Sequence, residues 1–112
     1  MFTSEMSERE LMIEKNNGMW IYSSGAIYEG SWKNDMRHGN GRYIFEDGDY
    51  YIGDWKDNKM HGQGVFEWPD GRKYEGEWTN GKQHGKGFYY TTANGKIEGE
   101  WKDGKRIKIN FS

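Results

Sequence analysis

Large rings and small or charged residues alternate along this chain. The stretch YEGEW, Tyr74 to Trp78, puts Tyr and Trp on one parity with a glycine between them, and glutamates on the other. Alternation of period two predicts a half-buried strand. The same word begins at Tyr28 and Tyr51, and with isoleucine in place of tyrosine at Ile97; each step is 23 residues. A second word, His-Gly-x-Gly, begins at His38, His61 and His84 on the same step. A constant step of this size marks a repeat architecture. Full units run 28–50, 51–73 and 74–96, with a leading half unit at 18–27 and a trailing one at 97–104.

Each unit reads as two strands. Asn34-Asp35, Asp57-Asn58, Asn80-Gly81 and Asp103-Gly104 follow the first strand and suit two-residue hairpin turns with positive φ. Glu46-Asp47-Gly48 and Pro69-Asp70-Gly71 follow the second and suit a type I turn closed by a left-handed residue, with Thr92-Ala93-Asn94 in the same place one unit later. Counting outward from the turns places Gly30 opposite Gly39, Tyr28 opposite Gly41, Gly76 opposite Gly85 and Tyr74 opposite Gly87. Counting outward from the loops places Tyr43 opposite Tyr51, Gly41 opposite Gly53, Gly39 opposite Trp55, Gly85 opposite Trp101 and Gly87 opposite Gly99. Both connections preserve parity.

One face therefore collects Trp20, Tyr22, Tyr28, Trp32, Tyr43, Phe45, Tyr51, Trp55, Phe66, Trp68, Tyr74, Trp78, Tyr89 and Trp101, which is 14 of the 19 aromatic residues. The other face carries Glu29, Ser31, Lys33, His38, Asp54, Lys56, His61, Glu75, Glu77 and His84. The fold class predicted is all-β: one curved antiparallel meander of hairpin repeats, an elongated half-pipe. Strand-interior glycines, among them Gly30, Gly39, Gly41, Gly53, Gly62, Gly64, Gly76, Gly85, Gly87 and Gly99, leave room for rings to lie on the backbone and let the strands bend.

Composition fits a thin fold. Only 33% of the 112 residues are hydrophobic while 17% are aromatic, so rings rather than aliphatic side chains must supply the buried area. Charged residues make up 30% and nearly cancel at −2, which argues against a dedicated nucleic-acid surface. The chain has no cysteine, which removes disulfides, thiolate metal sites and cysteine nucleophiles. Residues 1–17 show neither a signal-type apolar run nor a membrane-spanning length, so a cytoplasmic location is expected.

The words YEGSWKNDMRHGNG, YIGDWKDNKMHGQG and YEGEWTNGKQHGKG resemble the MORN (membrane occupation and recognition nexus) repeat family over residues 18 to about 104. The resemblance implies an aromatic-lined concave groove and scaffolding roles at the cytoskeleton, cilium or cell cortex and beside membranes. Ile97 and the tail KRIKINFS depart from the pattern: His-Gly-x-Gly is missing and Lys108 stands where a glycine would accommodate a ring. Residues 105–112 thus read as a capping strand, with Ile107, Ile109 and Phe111 expected on the outer face beside Phe88 and Tyr90. Residues 1–17 lie outside the repeat frame. Ser7-Glu8-Arg9-Glu10 suits a capping box, and a short helix folding over the first hairpin is expected, with a strand at ELMIEK as the alternative.

Candidate chemistry is sparse. His38, His61 and His84 sit on successive repeats, about 9–10 Å apart, too far to share one metal whose nitrogens lie at about 2.0–2.1 Å; a hydrogen bond between neighbouring repeats is the expected role, and no metal or cofactor is expected. The Gly-x-Gly words lie inside strands with no helix behind them to hold phosphate. Carboxylates such as Glu29, Glu75 and Glu98 recur on the polar face as a solvated surface rather than an acid–base pair, and no nucleophile with a base is legible. No enzymatic activity is expected.

A single sheet has no second layer, so its rings should stay partly reachable and bind a partner protein, as a helix or an extended segment, through Trp32, Trp55, Trp78, Tyr51, Tyr74, Phe66 and Trp68. On this reading Trp55→Ala with Trp78→Ala weakens binding and spares the fold. The alternatives are a homotypic scaffold that joins copies through open sheet edges, and a platform for a choline-like cation, a sugar or phospholipid. Lys102, Lys105, Arg106 and Lys108 form the one basic cluster suited to anionic lipid, and near-neutral charge makes such contact weak or indirect.

Overall fold

The computed structural model describes the backbone of residues 12–16, 19–93 and 95–110 and the side chains of 19–93 and 95–109. These form ten strands: β1 (Met12–Asn16), β2 (Met19–Tyr22), β3 (Ile27–Lys33), β4 (Met36–Ile44), β5 (Tyr50–Lys56), β6 (Lys59–Glu67), β7 (Lys73–Thr79), β8 (Lys82–Tyr90), β9 (Lys96–Lys102) and β10 (Lys105–Asn110). They lie in one open sheet in chain order, every neighbouring pair antiparallel. Nine inter-strand steps of about 4.8 Å span about 43 Å, close to the molecule's longest extent of 46 Å.

The turns fold as their residues dictate. Asn34, Asp35, Asp57, Asn58, Asn80 and Asp103 all have φ between 49° and 70°, and Gly81 and Gly104 complete their turns at 82° and 85°. Two consecutive left-handed residues twist with the strands they join, which is why Asn, Asp and Gly occupy these positions. Gly48 and Gly71 close the three-residue loops at φ 97° and 96°. In the third unit Asn94 lies outside the described residues, but Thr91 N–H donates to the Gly95 carbonyl at 2.9 Å, as Trp68 N–H does to Arg72.

Register across the loops is as counted: Tyr43 faces Tyr51, Gly41 faces Gly53, Gly39 faces Trp55, Gly85 faces Trp101 and Gly87 faces Gly99. Register across the turns is not. Lys33 faces Met36 and Trp32 faces Arg37, but Gly30 then faces Gly41, and Tyr28 faces Tyr43. Three residues, 38–40, thus oppose Ser31 alone, and the later units repeat the shift with Gly76 facing Gly87 and Tyr74 facing Tyr89. The cause is a bulge at the first glycine of His-Gly-x-Gly: Gly39, Gly62 and Gly85 have φ of 88°, 63° and 84°. The shift is two residues, so parity survives and the ring face stays together.

Two terminal expectations change. Met12–Asn16 is a strand paired with β2, so within the described residues the alternative of a strand at ELMIEK replaces the helix; Ser7–Leu11 lie outside them. At the other end β10 carries a one-residue bulge, so that Arg106 faces Trp101 but Lys108 faces Glu100 and Ile109 faces Gly99. That odd shift inverts parity and puts Ile109 on the ring side rather than the outer face. Ile107 sits at the bulge, 63% exposed, and Phe111 lies outside the described residues.

Candidate functional site

The ring face is a two-row aromatic core. One row alternates Trp32, Tyr28, Trp55, Tyr51, Trp78, Tyr74 and Trp101, each ring edge-on to the next at 4.9–5.6 Å between centroids. Edge-to-face contact sets the positive rim of one ring against the negative face of the next. The other row runs Tyr22, Tyr43, Phe45, Phe66, Trp68 and Tyr89 at 4.7–6.1 Å. Tyr43 with Trp55 and Phe66 with Trp78 tie the rows together.

The glycine words explain how the first row is held. A Cβ at Gly64 would fall inside the Tyr51 ring and hydroxyl, and one at Gly53 would meet the Gly64 Cα at 2.5 Å. The tyrosine therefore lies flat on two facing glycines, and its hydroxyl reaches the bulge. Tyr28, Tyr51 and Tyr74 donate to the carbonyls of Ser31, Asp54 and Glu77 at 2.8, 2.9 and 3.1 Å. From the outer face the same residues' side chains serve the bulged strand. Asp54 accepts from Gln63 N–H at 3.1 Å, Glu77 accepts from Lys86 N–H at 2.7 Å, and the Ser31 hydroxyl donates to the Asn40 carbonyl at 3.2 Å. Trp55 and Trp78 indoles donate to the carbonyls of Gly41 and Gly64, both at 3.2 Å. Burial pushes the Tyr28 phenol up to about 12 and raises Tyr51 and Tyr74 further above the ordinary phenol range.

Burial changes what this face can offer a partner. Tyr22, Tyr28, Tyr43, Tyr51, Trp55, Phe66, Tyr74, Trp78 and Trp101 are all buried, Tyr28, Tyr51, Phe66 and Tyr74 completely. Among the described residues the rings cover one another, and the buried Arg37, Met60 and Gln83 fill the spaces beside them. Trp20, Trp32, Phe45, Trp68 and Tyr89 are half-buried and form the reachable part. Substituting Trp55 and Trp78 would therefore remove core, not surface, and the expectation that the fold survives their loss is reversed.

A series of four residues on the ring side was not read from the sequence. Arg37, Met60, Gln83 and Arg106 stand 23 apart and pair with Trp32, Trp55, Trp78 and Trp101. Arg37 is buried, its guanidinium 5.2–6.0 Å from the rings of Tyr22, Tyr28, Tyr43 and Trp55. It donates to the Tyr22 hydroxyl at 2.7 Å and to the Asn58 carbonyl at 3.3 Å. Met60 is fully buried at its station and Gln83 nearly so; Arg106 is exposed. Their odd or even place in each second strand matches the ring parity, so the signal was present, but charge and amide groups masked it. Beside Gln83 a hollow of about 190 Å³ remains, lined by Trp68, Gln83, Tyr89, Trp101 and Arg106. Arg72 stacks on Trp68 at 5.1 Å and donates to the Tyr89 hydroxyl at 3.4 Å.

The remaining candidates disperse. His38 and His84 each set Nδ1 against the turn aspartate of the next repeat, Asp57 at 3.7 Å and Asp103 at 3.9 Å, an ion-pair spacing in place of the expected hydrogen bond. The position equivalent to Asp57 is Asn80 in the unit beside His61. Among the described residues no three His, Asp or Glu side chains converge as metal ligands do. The basic cluster divides between faces: Lys102 faces Lys105 and Lys108 pairs with Glu100 at 3.6 Å on the outer side, while Arg106 lies on the ring side beside Trp101. The outer face holds a larger furrow, about 420 Å³, among Glu75, Glu77, Lys86, Phe88 and Glu98. Two of its carboxylates are engaged, Glu75 by the Tyr90 hydroxyl and Glu77 by the Lys86 amide.

Comparison with known proteins agrees with this geometry. No curated protein matches the chain. The family model for the MORN repeat matches residues 28–50, 51–71, 74–96 and 98–106, so its first three units begin at the same tyrosines that lie on the glycines. The chain belongs to the MORN repeat family.

Proposed function

We propose that this protein is a non-enzymatic scaffold or adaptor that holds a partner protein segment, helical or extended, along the reachable margin of its ring face. Membership in a repeat family of generally non-catalytic type indicates a scaffold or interaction protein. The observation that carries the finer reading is that five rings stay half-buried beside the buried core: Phe45, Trp68 and Tyr89 in one row, and Trp32 with its neighbour Trp20 at the head of the other. Half-buried rings gain further apolar contact when a partner covers them. A cytoplasmic place at the cytoskeleton, cilium or cell cortex follows as part of this proposal. Trp20→Ala with Phe45→Ala, checked for an unchanged circular-dichroism spectrum, should lose partners that the parent chain retains in affinity purification. An identical set of retained proteins would overturn the reading.

The open edge favours a second reading. β10 ends the described sheet and carries Ile107 and Ile109, 63% and 38% exposed, so copies could join there by strand pairing. A light-scattering mass equal to one chain at high concentration would remove it.

A further inference from the structure

We propose that the hollow beside Gln83 is a socket for a partner peptide carrying one apolar side chain next to an aspartate or glutamate. The proposal rests on the scaffold reading and names the kind of segment that the scaffold holds.

The repeat supplies its own comparison. The same five positions recur three times at a 23-residue step: Tyr22, Arg37, Tyr43, Trp55 and Met60; then Phe45, Met60, Phe66, Trp78 and Gln83; then Trp68, Gln83, Tyr89, Trp101 and Arg106. The first cage is filled by Arg37, 4% exposed, and the second by Met60, 0% exposed. Gln83 occupies the third station and leaves about 190 Å³ between the rings and Arg106. That is below the roughly 300 Å³ at which sites for whole small-molecule ligands begin. It suits one side chain.

Charge selects the occupant. In the first cage the buried plug is a cation and the outer residue is Met60; in the third the plug is a neutral amide and the outer residue is the exposed Arg106. No carboxylate lines the hollow. Arg72, ion-paired with Asp70, brings a second guanidinium to the Trp68 and Tyr89 walls. A lysine or arginine entering this cage would meet Arg106 head-on. An apolar side chain instead desolvates between Trp68, Tyr89 and Trp101, while a carboxylate on its neighbour pairs with Arg106 at the mouth.

The test uses the whole chain and three acetylated, amidated tripeptides, Glu-Phe-Glu, Lys-Phe-Lys and Glu-Ala-Glu, each titrated through about 1 mM. The readout is the two-dimensional NMR signals of the Trp68 and Trp101 indoles. Glu-Phe-Glu should shift both saturably, and each of the other two should bind at least about fivefold more weakly, the scale of one surface ion pair. Gln83→Met, which installs the plug found one repeat earlier, should abolish the shift with the rest of the spectrum folded. Arg106→Gln should weaken Glu-Phe-Glu about two- to fivefold and leave Lys-Phe-Lys unweakened. Equal or tighter binding of Lys-Phe-Lys, undiminished binding by Gln83→Met, or indole signals unmoved by any peptide would each overturn the socket. Partner capture lost in the Trp20 and Phe45 variant but kept in Gln83→Met would leave the scaffold reading standing without it.

Discussion

Tyr51→Phe isolates a single hydroxyl. Tyr51 is fully buried, its Oη donates to the Asp54 carbonyl at 2.9 Å, and a second carbonyl, that of His61, lies at 3.5 Å. Both carbonyls belong to the bulge region, where the ladder is broken and strand pairing leaves the backbone groups in need of other partners. Phenylalanine keeps the ring and its edge-to-face contacts with Trp55 and Trp78 and removes only the donor. An unsatisfied buried carbonyl costs about 1–3 kcal/mol. Tyr50 provides the control, since its hydroxyl donates to Glu67 at 2.9 Å but the residue is only half-buried. There, water can replace the donor, and the expected cost is below about 1 kcal/mol. In urea, with a slope of roughly 1–3 kcal/mol per molar, Tyr51→Phe should lower the midpoint clearly more than Tyr50→Phe. Equal midpoints for the two variants would refute the idea that the phenol anchors the bulge.

Other outcomes follow from the same contacts. Trp55→Ala removes a buried indole that touches Tyr28, Tyr43 and Tyr51 and donates to Gly41; it should cost about 3–5 kcal/mol and be read as loss of cooperative thermal unfolding. The raised phenols make stability depend on alkaline pH. Their neutral form is favoured by folding, so their contribution is complete below the ordinary phenol value of 10.0 and is lost as pH rises through the folded value, about 12 for Tyr28 and higher for Tyr51 and Tyr74. Absorbance at alkaline pH should show the half-buried Tyr50 and Tyr90 titrating before these three, which ionise only as the chain unfolds. Asp54→Ala should cost about 1 kcal/mol in chemical denaturation, since the carboxylate accepts from Gln63 N–H and the Asn40 amide at an exposed site.

How much of this was legible can be told from particular residues. The period, the turns at Asn34-Asp35 and its equivalents, and the ring face all follow from short-range rules, because a side-chain period of two survives any even register shift. The Gly30–Gly41 pairing was not legible: it depends on Gly39 choosing a left-handed φ inside a strand, which a count from the turn cannot see. The same blindness applied to Ile109, where an odd shift moved the residue across the sheet. Exposure of the rings is less than the sequence suggests, because a curved sheet without a second layer is expected to leave its rings partly reachable, and here the rings cover one another. Trp55 and Trp78 are enclosed by Tyr28, Tyr51, Tyr74 and Phe66 from the same face. Arg37 escaped notice because a cation in a ring-lined interior contradicts composition, although cation–π contact with four rings accommodates it. The reachable part of the ring face is smaller than the aromatic count suggests, since most of those rings are buried.

The claim beneath all of this is that facing glycines exist to receive a tyrosine ring. The most direct measurement is the unfolding free energy of Gly64→Ala against Gln63→Ala, one residue away on the exposed side of β6. A Cβ at position 64 has no room beneath Tyr51, so Gly64→Ala should cost at least about 3 kcal/mol, at or beyond the upper end of overpacking, while Gln63→Ala stays within about 0.5 kcal/mol. A Gly64→Ala chain as stable as the parent would contradict the account.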